Sequence, residues 1–509
     1  MKLIIYIFIF IPCMSCSAQF NPEPKQITAE FFPDFSDLEN CTPALNKNKG
    51  FTNHNELISF LKTLSKNHPD KVNTEIIGKS QKGHDIPLVV LNNKSSNQTK
   101  VKVFYQGGLH GDEPASTEGI LYLLYQILNN EKYQYLLDRI TLAVVPMANI
   151  DGYLNQQRLA ANGLDLNRDQ TKLMAPESVV LKQAFSSFDA EVALDFHEYN
   201  AYRRDFSKLS TFGITSIFDV MFLYSSNLNV SENIRFVTDT LFVENTRKVM
   251  QQNNLRYFDY MSTSKVQNEL QFNKGSINPR SSATSFALTN CISALIEVRG
   301  VNLGRTSFKR RINTTFLAGI SFLETAYNNI DLIKETIRKA NNLKSEIVIT
   351  SEKQKYLDTI PVIDLDSKKK MDLQILVSDA KHSTPTLKRS IPSAYIIRSQ
   401  HSELIDKMKV FGISIDTLNE EKKMEVEIFK IIGYERDPIP TEKMNMQYVT
   451  TDLIKTNKNF DKNDFIIYTN QKNSSLLFEL LEPEAISSFV SFGIIKTKLN
   501  DELPIYRLP

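Results

Sequence analysis

Four short apolar runs constrain this chain more than any other feature: Val101-Lys-Val-Phe-Tyr105, Ile140-Thr-Leu-Ala-Val-Val145, Val192-Ala-Leu-Asp-Phe196 and Ile292-Ser-Ala-Leu-Ile296. Strands of this kind, alternating with helical stretches, belong to an α/β sheet covered on both faces. One such stretch runs from Ser116 to Asn129, with apolar residues at 120, 121, 123, 124, 127 and 128, the spacing of a buried helix face. A second starts after Asn53 or Asn55, either of which can cap it, and places Leu57, Phe60, Leu61 and Leu64 at helical spacing. Between these helices, residues 74–77 and 86–91, separated by Gly78 and Gly83, read as a hairpin. A long helix over about 312–342 closes the region. The expected fold is a mixed, mostly parallel twisted sheet with helices on both faces.

At 509 residues the chain exceeds one ordinary domain. Residues 53–343 hold the α/β pattern. Residues 344–371, charged and poor in helical pattern, read as a linker, and 372–509 as a smaller C-terminal α/β or β-rich accessory domain. In that last part 394–397, 402–411 and 413–418 read as strand, helix and strand, and 424–433, 464–468 and 504–507 as further strands. Residues 202–276 are longer and more irregular than a minimal α/β unit needs, and are expected to insert a lid or a wall. With 60 Lys and Arg against 58 Asp and Glu, the charge balance argues against nucleic acid as the main partner.

The N terminus has its own logic. Met1-Lys2, an apolar core over 3–11, and a small-residue exit at Ser17-Ala18 have the layout of a secretory signal, with cleavage expected after Ala18. The mature chain would be secreted or periplasmic, without a transmembrane segment. Lipid anchoring at Cys16 is the lesser alternative, because Cys13 stands where a lipobox wants a Leu-like residue. Residues 19–52 read as an extended arm. Cys41 and Cys291 would then remain, either paired or, for Cys291, simply buried in an apolar run.

Chemistry gathers at the strand ends. His110 and Glu113 lie in His110-Gly-Asp-Glu113, a Gly-rich turn between strand and helix, at the carboxyl edge where α/β sheets place ligands. His197 ends another apolar strand and opens on the same rim. Two imidazoles and a carboxylate supply three ligands and leave a fourth position open, as a catalytic zinc site requires. Glu297 is an acid within an apolar strand, where an unpaired carboxylate is costly. It serves either as a partner for Arg299 or Arg305 or as a general base of raised pKa. Between these lies a polar loop containing Asn149-Ile-Asp-Gly-Tyr153 and Arg158-Leu-Ala-Ala-Asn-Gly-Leu-Asp-Leu-Asn167-Arg168, whose guanidinium forks suit a carboxylate.

The order His-x-x-Glu, the Asn-x-Asp-Gly and Arg-x-x-x-Asn-Gly-x-Asp-Leu-Asn-Arg block, a strand-end His and a strand-borne Glu resembles the M14-type zinc metallocarboxypeptidases over about 53–340. The resemblance implies one Zn²⁺ on His110, Glu113 and His197, with Asp165 orienting a liganding imidazole. It implies Arg158 at the scissile carbonyl, Asn167 and Arg168 on the free C-terminal carboxylate of a peptide substrate, and Glu297 as general base toward an activated water. Tyr257 or Tyr260 would close over substrate. The polar wall Arg280-Ser-Ser-Ala-Thr-Ser285, with one cation, points to acidic or polar side chains at the substrate terminus. Two other readings fit the same residues: a zinc amidase or deacylase on cell-wall peptides or N-acyl amino acids, and an exported binding protein whose catalytic unit is degenerate.

Overall fold

The computed structural model describes residues 23–203, 205–267, 269–341 and 345–509. The signal segment 1–18, with Cys13 and Cys16, lies outside the described residues.

In chain order the strands are β1 (Val72–Lys79), β2 (Asp85–Leu91), β3 (Val101–Gly107), β4 (Ile140–Val145), β5 (Val192–Tyr199), β6 (Ile214–Ser216), β7 (Val220–Tyr224), β8 (Tyr257–Asp259), β9 (Met261–Val266), β10 (Glu269–Lys274) and β11 (Ile292–Arg299). Eight of them form one sheet in the order β1-β2-β4-β3-β5-β11-β7-β8. The centre of the sheet is parallel: β3 with β4 and β5, and β5 with β11. The β1–β2 hairpin joins one side antiparallel, and β7 pairs antiparallel with β11 on the other. Every residue of β5 and of β11 is buried, because each lies between neighbours and under helices. Their sequences therefore read as continuous apolar runs rather than as alternation.

Helices complete the layers. The first long one, His54–Asn67, starts at Asn53 through a reciprocal cap: Asn53 Oδ1 accepts from the Glu56 N–H at 3.0 Å, and Glu56 Oε2 accepts from the Asn53 N–H at 2.8 Å. Pro114–Asn129 begins with proline at its first turn, where no backbone N–H is needed, and is buried along nearly its whole length. The long helix expected over 312–342 is two, Phe308–Asn328 and Ile330–Ala340. Asn329 breaks it at φ −129°, and its side-chain amide donates to the Thr325 carbonyl at 2.8 Å, occupying an acceptor the interrupted helix leaves.

The expected linker is instead structure. Residues 344–371 contain β12 (Glu346–Asp364), which pairs antiparallel with β13 (Lys370–Ser390) over almost its whole length. Together with β6, β9 and β10 they make a second sheet, ordered β6-β12-β13-β10-β9. The irregular insert and the stretch beyond residue 345 thus share one sheet, and the break in composition is not a break in structure. The pattern misled because much of this ribbon has both faces toward solvent, so it carries charged residues and little apolar signal.

A third sheet follows, from β14 (Ala394–Ile397), β15 (Asp416–Thr417), β16 (Lys422–Arg436), β17 (Gln447–Phe460), β18 (Phe465–Tyr468) and β19 (Glu502–Leu508), in the order β15-β18-β14-β19-β16-β17. Its inner residues, including Tyr395 and Phe429, belong to the same hydrophobic cluster as Phe104, Phe196 and Ile296 of the first sheet. One core therefore runs through both parts. Cys41 and Cys291 are free thiols, the second fully buried. Among the described residues no helix is long and apolar enough to cross a membrane.

Candidate active site

The parallel strands β3, β5 and β11 end on one rim, and the turn after β3 brings the first ligand candidates there. Gly108 has φ +64°, and a Cβ on it would come within 2.6 Å of Thr117 Oγ1. At Gly111 a Cβ would lie 2.0 Å from the carbonyl carbon of Gly152. Only glycine lets this turn fold against the 149–158 loop, and that contact fixes His110 between them. Glu113 is the N-cap residue of Pro114–Asn129, and its Oε2 accepts from the Glu198 N–H at 3.0 Å.

His110, Glu113 and His197 converge, with one ligand atom from each lying within 4.8 Å of the others. His110 Nδ1 is 2.7 Å from Glu113 Oε1, and His197 Nδ1 is 2.8 Å from Glu113 Oε2. The two Nδ1 atoms stand 3.0 Å apart. Each ring's far nitrogen has a carboxylate: Asp165 Oδ1 lies 3.0 Å from His110 Nε2, and Asp195 Oδ2 lies 3.0 Å from His197 Nε2. Carboxylates in those places favour a proton on Nε2 and turn the Nδ1 lone pairs toward each other and toward Glu113. Two nitrogen lone pairs and a carboxylate, all buried, repel unless a cation lies among them, so the donor set fits a zinc ion. Burial raises the pKa of Glu113, but the two imidazoles outweigh it and hold the carboxyl well below its usual range.

Asp165 does more than hold one ring. Its Oδ1 also accepts from the Asn167 N–H at 2.8 Å, while Oδ2 takes Arg158 Nε at 3.1 Å. Arg158 Nη1 reaches Glu113 Oε1 at 3.3 Å, so the guanidinium stands at the edge of the ligand cluster. Asn149 caps the short helix Ile150–Leu154 with its oxygen, and its Nδ2 donates to the Arg158 carbonyl, tying that loop down. Asn167 Oδ1 accepts from the Ser282 N–H at 2.8 Å, which leaves its amide nitrogen as the donor it can offer. Arg168 Nη1 donates to the Asn167 carbonyl at 2.8 Å.

Glu297 lies on β11, in register with His197 on β5. It is 8% exposed, and among the described residues no cation lies within ion-pair distance of it. The two arginines weighed as partners are engaged elsewhere: Arg299 with Glu23 at 2.8 Å, and Arg305 with the Gly50 carbonyl at 2.7 Å. Burial, then the charge of Glu113, push the Glu297 pKa up to about 7 against the pull of His197, His110 and Arg158.

His110, Arg158, Asn167, Arg168, Tyr260 and Glu297 all line one open crevice of ≈ 1460 Å³. Its outer wall includes Lys353, Ile360 and Val362 of β12, so the stretch expected as a linker borders the site. Of the two tyrosines proposed to close over substrate, Tyr260 lines the crevice. Tyr257 instead packs against the main core from β8. Asp195 and Glu198 were not singled out in the sequence. Asp195 was legible, since it stands two residues before His197 and strand alternation puts both on one face. Glu198 supports Glu113 through its own N–H, while its carboxylate is buried against Arg311 at 2.7 Å and takes the Ala115 N–H at 2.9 Å.

The model of the zinc carboxypeptidase family matches residues 57–204, which carry His110, Glu113, the loop and His197. Carboxypeptidase 2 of Trichophyton rubrum is 29% identical over 470 residues, covering 90% of this chain and 87% of that protein. The Trichophyton equinum protein of the same name is also 29% identical over 470 residues, covering the same shares. Among solved structures, carboxypeptidase A from Helicoverpa armigera aligns with TM-score 0.44 and 17% identity over 57% of this chain and 78% of its own. The family match falls on these residues and the relatives, named carboxypeptidases, span most of the chain, so this chain is similar to the zinc carboxypeptidases and the likeness supports a metallopeptidase.

Proposed function

We propose that the protein is an exported zinc exopeptidase that removes the C-terminal residue of peptides. The observation that supports this best is the meeting of His110, Glu113 and His197 at one point, with Glu297 beside them and two guanidinium groups, Arg158 and Arg168, in the same crevice. His110, Glu113 and His197 would hold one zinc ion, and such an ion, when bound, polarises a carbonyl and acidifies water. The chain's own groups then divide the work.

Arg168 and the Asn167 amide take the terminal carboxylate, which selects free-acid peptides and sets the register of the last bond. Arg158 faces the scissile carbonyl and steadies the charge that develops on its oxygen. Glu297, raised toward neutrality by burial, accepts the proton of the attacking water and passes it to the departing amine. Asp165 and Asp195 keep the imidazoles in the orientation and tautomer that metal binding needs. Tyr260 covers the bound terminus. The N-terminal layout of residues 1–18 supports export, and residues 53–343 form the catalytic unit, with the remainder as an accessory part that walls the crevice.

The test is mass spectrometry of peptides incubated with the purified protein. Stepwise shortening from the carboxyl end, blocked by a chelator, is the expected result. Cleavage of C-terminally amidated peptides at the free-acid rate would favour an amidase or deacylase instead. No turnover with zinc bound would leave the degenerate binding protein.

A further inference from the structure

Glu442 reaches the crevice from the last quarter of the chain. It sits on the connection between β16 and β17, where Thr441 and Met444 pair across a two-residue turn. Both central residues are left-handed, Glu442 at φ 51° and Lys443 at φ 65°. Hairpin turns that need positive φ twice are normally built from Asn and Gly. Two long side chains persist there only where surrounding contacts hold them, and strain of this kind gathers at ligand clamps.

Those contacts are all with the catalytic part. Glu442 Oε2 lies 2.8 Å from Lys172 Nζ, while Oε1 lies 3.3 Å from Arg280 Nη1 and 4.0 Å from Arg168 Nε. Lys443 Nζ donates to the Asn162 carbonyl, which anchors the turn on the loop carrying Arg158 and Arg168. The Lys172 side chain is 1% exposed, so this carboxylate neutralises a buried ammonium. Arg168 and Arg280 both line the crevice. With Arg168 on the terminal main-chain carboxylate, a free Arg280 would offer a second fork, to an acidic side chain. Glu442 occupies the second.

We infer that Glu442 is a specificity-determining residue. By engaging Arg280 it suppresses selection of Asp or Glu at the substrate's C terminus and leaves Arg168 to the main-chain carboxylate. The inference rests on the carboxypeptidase reading above, with Arg168 as the main-chain clamp.

The experiment compares full-length wild type with Glu442→Gln on matched peptides ending in Leu or Glu, each as free acid and as amide. In the variant the Glu-to-Leu ratio of kcat/KM is expected to rise about tenfold, the order of one charge-assisted hydrogen bond. The double variant Glu442→Gln/Arg280→Ala is expected to lose that rise. An unchanged ratio in the single variant, or a rise that survives loss of Arg280, overturns the inference. Should Glu442→Gln not fold, Arg280→Ala alone decides: with Arg280 already engaged the ratio moves less than about twofold, and a loss above about fivefold on Glu-terminated peptides overturns it. The amide arms are read in wild type. Equal cleavage of amides and free acids there overturns the clamp reading itself, and is distinguishable from any change in the Glu-to-Leu ratio.

Discussion

Glu297 stands directly across the β5–β11 strand pair from His197, and the two side chains share one rim without a cation paired to the acid. A carboxylate left without a counter-charge in an otherwise apolar strand destabilises the fold, so its position asks for a function. Beside three residues that would hold a cation, it stands, in the function proposed above, where a base could take the proton of an activated water.

Glu297→Gln keeps the shape of that side chain and removes its proton chemistry. The expected outcome is a kcat lower by about 10²–10⁴, with metal content unchanged. Elemental analysis and steady-state kinetics on the same preparation check both halves. Wild-type turnover in the variant would refute the assigned role.

Asp195 holds His197 through Nε2 at 3.0 Å and touches nothing that binds substrate in this account. Asp195→Asn is expected to weaken zinc binding by about 10–100-fold, as loss of an outer-shell carboxylate does. Chelator competition gives the affinity directly. His110→Ala and His197→Ala are expected to lose the metal altogether, and unaltered affinity in Asp195→Asn would show the ring needs no such support.

Glu479 gives a pH test far from the metal. Burial pushes its carboxyl from the usual value up to about 7, partly offset by amide donors from Asn227 at 2.7 Å and Asn229 at 2.9 Å. With the folded pKa above the unfolded one, its contribution is complete below about pH 4.5 and is lost as pH rises through 7. Glu479→Gln accepts the same donors without the charge. The variant and wild type should match in denaturant melts near pH 4, and the variant should be more stable by up to about 3 kcal/mol at pH 8. A variant no more stable at pH 8 would contradict this.

Asn53→Ala removes one half of the reciprocal cap on His54–Asn67. The expected loss is about 1 kcal/mol of stability with activity retained, measurable by thermal or urea unfolding.

Much of this site could be read before any fold was known. His197 and Glu297 lie in apolar runs, His110 and Glu113 in the turn that follows one, and in a parallel sheet such runs finish on one edge, so side chains far apart in number are brought together by backbone geometry. The cap at Asn53 is an equally local matter. The strands that were not legible there share a cause. β12, β13 and β17 are held by their partner strands more than by a core, so their sequences are polar and the period-2 signal is weak.

What the amino-acid order settled by itself is therefore the central sheet and the residues at its carboxyl edge, because burial on both faces leaves a strong apolar signature. Tertiary structure alone decided which arginines pair with which acids. Arg299 was drawn to Glu23, Arg305 to backbone carbonyls, and Arg280 to Glu442. A charged side chain takes whichever counter-charge folding brings within reach, and no spacing along the chain encodes that distance.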